Sequence, residues 1–316
     1  MREDKQMKKL ISIILILLLT LSAMAEIEVA ALNGPTGMGL VKMMADEEGK
    51  DHYHFTLAGS ADMITPKLIK GDIRIACVPA NLASVLYNKT NGRMQVLAVN
   101  TLGVIYIVER GQTVNSISDL KGCTVYASGK GASPEYALNY LLRQNGLDPE
   151  KDVSVIYKSE HAECLTALMQ DDTAIAMLPQ PFVTVAQSKK GDIRIALDLT
   201  EEWDKLDNGS AMITGVVVAD KNFVQDNPDE VKAFLDAYEE SVAYVNENNP
   251  EAAALIGACG IVEEAVALKA LPYCNIVCIR GEEMKTMLDG YLAVLYEQDA
   301  ASVGGALPGE DFYFAG

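Results

Sequence analysis

The chain has 316 residues, 49% hydrophobic and 22% charged, a globular composition long enough for one large or two medium domains and too apolar throughout for disorder. Its 26 basic and 44 acidic side chains leave a formal net charge of −18. A surface this acidic repels phosphate backbones and anionic headgroups, which argues against nucleic acid and peripheral membrane binding.

The first residues form a secretory pattern. Lys8 and Lys9 precede a predominantly apolar run over 10–21, and Ala23-Met24-Ala25 follows as a small-x-small cleavage site. The run is short for a bilayer, which needs about 20 residues. Met7 fits as the start, because residues 1–6 add acidic side chains that such leaders avoid. The expectation is a cleaved signal peptide over 1–25 and an exported protein, periplasmic or at the cell surface. No cysteine precedes Cys77, so a lipoprotein anchor is not expected. Cleavage would leave 22 basic and 42 acidic residues, a net of −20.

Beyond the leader, residues 27–32 read as a strand and Asn33-Gly34-Pro35-Thr36-Gly37 as a tight turn. A helix is expected over 38–48, a strand over 54–58, a helix ending near Lys70-Gly71, and a strand over 73–78 stopped by Pro79. Strand, turn, helix and strand at these intervals predict a parallel sheet with crossover helices. The series then repeats: a strand over 124–126, a glycine-rich turn over 128–132 and a helix over 134–145. That helix has Ser133 as its expected cap, Pro134 in its first turn and Gly146 as its stop. A strand over 153–157, a helix over 161–170 and a strand over 174–178 complete the second set.

The two sets echo one another. Gly71-Asp72-Ile73-Arg74-Ile75-Ala76-Cys77-Val78-Pro79 matches Asp171-Asp172-Thr173-Ala174-Ile175-Ala176-Met177-Leu178-Pro179 at an offset of 100, with Asp, Ile, Ala and Pro in common. Leu68 and Leu168 sit in the preceding helices. Further on, Val231, Phe234, Leu235, Tyr238, Val242 and Val245 fall on one helical stripe, and Met284, Met287, Leu288, Tyr291, Leu292 and Leu295 on another. Both stripes read as core-facing surfaces.

Six cysteines, none in a CxxC pair, and three histidines give no pattern for structural zinc. Cys77 and Cys123 lie in apolar or strand-like contexts and read as small core residues. Export would permit a disulfide among Cys259, Cys274 and Cys278, with the pairing open.

The chain resembles the type II solute-binding proteins of ABC importers, in the branch serving sulfonate, taurine, nitrate and thiamine-precursor uptake. The resemblance rests on Leu68-Ile69-Lys70-Gly71-Asp72-Ile73 with Pro79, and on Ala167-Leu168-Met169 with Asp172, Ala176 and Pro179. Ser118-Asp119-Leu120-Lys121-Gly122-Cys123-Thr124-Val125 and Gly215-Val216-Val217-Val218 with Asn227-Pro228 extend it. It covers nearly the whole mature chain. It implies an α/β protein of two Rossmann-like lobes with a ligand cleft between them, the periplasmic binding protein type II architecture. The crossing segments would lie near 101–110 and 211–218, with lobe one formed from 26–104 plus 215–316 around lobe two at 105–214. It also implies a monomer that captures a small molecule by closing on it, delivers it to membrane permease subunits, and needs no cofactor or metal.

Open parallel sheets bind ligands beyond the carboxyl ends of their strands, where helix N-termini point backbone N–H groups outward. The candidate ligand residues are therefore Asn33, Gly34, Thr36 and Gly37; Gly59 and Ser60; Pro79, Ala80 and Asn81; Ser128, Lys130 and Ser133; Pro179 and Gln180; and Thr214 on the return strand. Gly129-Lys130-Gly131 before a helix is a candidate anion nest, with Lys130 adding charge. It lacks the Walker spacing and ending. The competing ligand is a neutral heterocycle held by Tyr53, Tyr87, Tyr106, Tyr126, Tyr136 or Tyr157. An enzyme on the same fold is the alternative function, acting on a small heterocyclic or anionic substrate. Glu160-His161 with Glu163 is its only acid–base group near a cleft loop, and there is no Gly-x-Ser-x-Gly nucleophile motif. No turnover is expected.

Overall fold

The computed structural model describes residues 26–47 and 52–316. The expected signal peptide at 1–25 and Glu48, the expected end of the first helix, lie outside the described residues.

The first series runs β1 (Ile27–Leu32), α1 (Pro35–Met38), α2 (Val41–Glu47), β2 (Tyr53–Ala58), α3 (Ala61–Lys70), β3 (Ile75–Pro79), α4 (Ala80–Lys89) and β4 (Met94–Leu102). The single helix expected over 38–48 is two helices. The Leu40 N–H closes a tight bond on the Gly37 carbonyl at 3.1 Å, and the Gly39 carbonyl accepts from Ser241 Oγ at 2.6 Å. Both groups are thereby withdrawn from a continuous helical ladder. The second series runs β5 (Ile105–Glu109), β6 (Thr124–Ser128), α5 (Ser133–Gln144), β7 (Ser154–Lys158), α6 (His161–Gln170), β8 (Ile175–Pro179), α7 (Phe182–Lys189) and β9 (Arg194–Asp198). Strand edges differ from expectation by one or two residues.

The chain then returns through α8 (Leu199–Asp204) to β10 (Ile213–Asp220). It ends with α9 (Lys221–Asp226), α10 (Pro228–Glu247), α11 (Asn249–Ala258), α12 (Glu264–Ala270), β11 (Ile276–Ile279) and α13 (Gly281–Gln298).

Two sheets result, in the orders β11-β4-β10-β3-β1-β2 and β7-β6-β8-β5-β9. The strand-helix series expected to be parallel are parallel, within sheets that are mixed as a whole. β2, β1 and β3 are parallel, as are β7, β6 and β8, but β10 runs antiparallel to β3 and β4, and β5 antiparallel to β8 and β9. The physical reason is shared by both lobes. β5 and β10 each enter from the other lobe, hence from the carboxyl edge, and so run against their neighbours; the edge strand β11 is also antiparallel to β4. The crossings themselves are residues 103–104 and 199–212; most of the second segment expected at 211–218 is strand β10.

The first sheet thus takes strands from both ends of the chain, and β5–β9 form the second. The buried stripe of α10 (Val231, Phe234, Leu235, Tyr238, Val242 and Val245) packs with Cys77, Leu97 and Val217 of the first sheet. Each large side chain so buried contributes about 1.5–3 kcal/mol. A second apolar cluster runs through both lobes, joining Val96 and Val216 to Val125 and Ile175 by way of Trp203 and Tyr291.

All six cysteines are free, so the disulfide that export would permit among Cys259, Cys274 and Cys278 is not formed. Cys77 is fully buried, whereas Cys123, expected in the core, is half-buried at a turn with its thiol toward the Asp119 carbonyl at 3.4 Å.

Candidate ligand-binding cleft

A cavity of about 470 Å³ opens between the carboxyl edges of the two sheets. Of the sequence candidates, Asn33, Thr36, Gly59, Ser60, Pro79, Ser128, Lys130, Pro179, Gln180 and Thr214 line it. They come from the exits of five parallel strands and from the return strand β10. That convergence follows from topology, because every parallel strand of both lobes ends on the cleft.

Gly34, Gly37, Ala80, Asn81 and Ser133 do not line it. Gly37 is a packing residue: a Cβ there would stand 2.7 Å from the Leu32 carbonyl oxygen and 3.1 Å from Leu57. Ala80 is buried in the first turn of α4. Ser133 is the first residue of α5 and not its cap. Ala132 takes the cap position, and Ser133 Oγ instead donates to Asn81 Oδ1 at 3.3 Å.

The anion nest is filled from within. Gly129 and Gly131 have positive φ, 79° and 73°, but the Gly131 N–H donates to the Glu135 carboxylate one turn into α5. Lys130 reaches back over the Tyr157 ring, its Nζ 6.0 Å from the centroid. A second lysine, absent from the sequence candidates, joins it. Lys158, at the end of β7, also lines the cavity and stands 5.6 Å over the Tyr126 ring. None of the six tyrosines considered as ring contacts lines it. The aromatic surface comes from Phe182 and His161, whose ring centroids are 5.1 Å apart.

The exit of β7 is a sixth cleft loop that the sequence candidates do not include. Lys158, Ser159, Glu160 and His161 all contribute. The signal is present in the sequence, since a strand ending near Tyr157 and a helix beginning at His161 leave a strand-exit loop like the other five. Thr101, Val104 and Ile105, at and beside the first crossing, with Leu32, Pro35, Met177 and Phe182, supply a largely apolar wall. Asp62 in the first turn of α3 and Glu160 at the cap of α6 add carboxylates to the same lining.

Hydrogen bonding separates committed groups from open ones. Thr36 Oγ1 donates to the Leu32 carbonyl at 3.2 Å, and Gln180 Oε1 accepts from Thr184 Oγ1 at 2.9 Å. Ser128 Oγ is paired with His161 Nδ1. Burial pushes the His161 imidazole down to about 4, so it is neutral at pH 7. Cys164, one turn along α6, is pushed up to about 11 by burial and stays a thiol. Ser60 sits at the cap of α3 yet makes no cap bond, and the Thr214 hydroxyl is buried without a partner among the described residues. A buried unpaired hydroxyl costs about 1–3 kcal/mol, which a ligand atom in this cavity would recover. Ser128 and His161 have the spacing of a nucleophile and its base, but among the described residues no carboxylate is bonded to the imidazole to orient it.

Several solved structures share this fold. An ABC transporter from Parabacteroides distasonis superposes with a TM-score of 0.76 at 23% identity, over 92% of this chain and 98% of that one. The periplasmic aliphatic sulphonate binding protein SsuA from Escherichia coli gives 0.70 at 18% identity, over 87% of each chain. The alkanesulfonate-binding protein SsuA from Xanthomonas axonopodis pv. citri, bound to MOPS, gives 0.70 at 13% identity, over 90% of this chain and 95% of that one. These likenesses establish the two-lobed periplasmic-binding-protein fold. No curated protein sequence matches the chain. The NMT1/THI5 like family model matches residues 92–253, from just before β4 through both crossings and into α11, and the chain belongs to that family.

Proposed function

We propose that this chain is the solute-binding subunit of an ABC importer, exported from the cytoplasm, closing on a small molecule and passing it to membrane permease subunits without chemical change. The observation that carries the reading is the cavity between the lobes, lined from six strand exits, the first crossing and the start of β10, and containing the unpartnered Thr214 hydroxyl. Relatives of the same fold bind aliphatic sulphonates and MOPS. The test is a thermal-shift panel of sulfonates, nitrate, thiamine precursors and amino acids on the mature protein. A ligand at 100 times its dissociation constant adds about 2.7 kcal/mol. Mass spectrometry should then recover that ligand unaltered, and stoichiometric modification would move the assignment to an enzyme.

The ligand we favour carries an acidic group on the second-lobe side. Lys130 and Lys158 line the wall there, each over a tyrosine ring, and neither forms an ion pair among the described residues. A charge-assisted hydrogen bond in such a cleft is worth about 1.5–3 kcal/mol. Lys130→Met should therefore weaken an anionic ligand about ten- to hundredfold by calorimetry and leave the melting temperature of the free protein unchanged. A change below about twofold would make Lys130 a solvated turn residue and shift the anion contact to Lys158.

A further inference from the structure

We infer that Asn81 is a positioning residue: it fastens the loop 129–131, and so the placement of Lys130 in the cleft, to the first lobe. This rests on the cleft being the ligand site, but its geometry stands apart from any ligand.

Asn81 follows Pro79 at the start of α4, where a polar side chain at a strand exit suggests ligand contact. It is instead fully buried behind the cavity. Its Nδ2 donates to the Ser302 carbonyl at 3.0 Å and to the Gly131 carbonyl at 3.3 Å, while Oδ1 accepts from Ser133 Oγ at 3.3 Å. Two carbonyls on one side and a hydroxyl on the other fix which end of the amide is nitrogen, because a carbonyl can only accept. Every partner of the side chain is thereby accounted for.

The neighbours on α4 show what is special about this position. Ser84 Oγ donates to the Val303 carbonyl at 2.8 Å. Asn88 Nδ2 donates to the carbonyls of Val303 at 2.9 Å and Ala306 at 2.7 Å. Residues 81, 84 and 88 share one helix face, and together they hold the C-terminal turn at 300–306. Ser84 and Asn88 bond within the first lobe alone. Asn81 also spans to the second, and it meets the loop where α5 lacks a side-chain cap. The loop's other ties stay within the second lobe: Gly131 N–H to Glu135, Ala132 N–H to the Gly129 carbonyl at 3.1 Å, and Lys130 over the Tyr157 ring. Those set its shape. Asn81 and its bond from Ser133 set where that shape sits relative to the first lobe.

The test is hydrogen exchange with mass spectrometry on the ligand-free full chain. In Asn81→Ala the amides of 129–133 should exchange about tenfold faster, with β3 and the rest of α4 as protected as before. Asn88→Ala should loosen 301–306 and leave 129–133 unchanged, because its bonds stay within the first lobe. Asn81→Asp keeps the acceptor for Ser133 but loses both donors. It should release the loop at neutral pH and regain protection, relative to intrinsic exchange, as the carboxyl protonates and can donate again. If the alanine variant does not fold, the aspartate variant carries the comparison. Unchanged exchange over 129–133 in both Asn81 variants would overturn the inference. So would equal loosening by Asn88→Ala, which would make the whole face structural. No ligand enters the readout, so a failed ligand panel and a failed Asn81 test are distinguishable.

Discussion

Trp203→Ala should lower the unfolding free energy by about 3–5 kcal/mol, the range for removing a fully buried large aromatic. Trp203 is the only tryptophan in the chain and has no exposed surface. It lies on α8, in the crossing that returns the chain to the first lobe. Its ring centroid is 4.7 Å from that of Tyr140 on α5 and 5.6 Å from that of Tyr291 on α13. Its Nε1 donates to Ser210, at 3.2 Å to the carbonyl and 3.1 Å to Oγ. The side chain is therefore packed against both lobes at once and tied to its own segment. Alanine would leave a cavity at the junction and strand the Ser210 acceptors. At about 2–4 °C per kcal/mol for a protein of this size, the melting temperature should fall by roughly 6–20 °C. Far-UV circular dichroism is the proper monitor, since the substitution removes the only indole. Trp203→Phe should recover most of the loss, because the ring contacts survive and only the N–H bond is missing. A fall of less than about 1 kcal/mol in the alanine variant would mean that the junction collapses freely and that the lobes are not coupled through this ring.

The sequence exposes the parts of this architecture that depend on periodicity and punctuation. The strand-helix series, the stripes of α10 and α13 and the exits at Asn33, Ser60, Pro79, Ser128 and Pro179 are all written in local patterns of apolar residues and turn formers. The mixed direction of the sheets is not, because an antiparallel entry strand such as β5 or β10 has the same apolar run as a parallel one. The site shows the same division. Which loops reach the cleft is readable from strand ends, the exit of β7 included. Which side chains face the ligand is not, because that depends on pairings between residues distant in sequence. Asn81 turns away to bond Ser302 and Gly131, Ser133 to bond Asn81, and Glu135 occupies the amide that an anion would use. The tyrosines offered for a competing neutral ligand stay out of the lining for a related reason: a ring beside a predicted loop packs under it as readily as it lines it.

Acidification should cost the protein about 2 kcal/mol of stability between pH 7.5 and 5, and His161 should be the main cause. Its imidazole is pushed down from 6.5 to about 4 by burial alone. The unfolded chain therefore takes up a proton near pH 6.5 that the folded protein refuses until about pH 4. Stability is fully present above 6.5, falls between 6.5 and 4, and has lost about 3 kcal/mol by the lower end. The groups near the ring fit this assignment. Ser128 occupies Nδ1, Phe182 lies 5.1 Å away, and Cys164 stays a thiol, so none stabilises an imidazolium. Glu160 and the lysines of the wall are close in sequence or share the cavity, yet burial is the sole cause of the shift. Two other groups act elsewhere. His54 is raised by its hydrogen bond to Glu28, which has the opposite sign, but that pair is exposed and screened. Glu109 is held low by Thr113, Val114 and Arg194, against the opposing effect of its own burial, and its contribution is lost only as pH falls below the ordinary glutamate range. Urea unfolding at several pH values separates these contributions. His161→Gln should flatten the slope between pH 7.5 and 5 to less than half, while leaving the steeper loss below pH 4.5 that belongs to carboxylates. Equal slopes in the two proteins would show that the imidazole is solvated in the folded state. Ligand binding should respond in the opposite direction: an imidazolium beside Lys130 and Lys158 would strengthen attraction for an anion. Because the folded imidazole titrates only near pH 4, that affinity should stay flat from pH 6.5 to 5 and rise only as pH approaches 4, and a rise there that His161→Gln abolishes would identify the same residue from the ligand's side.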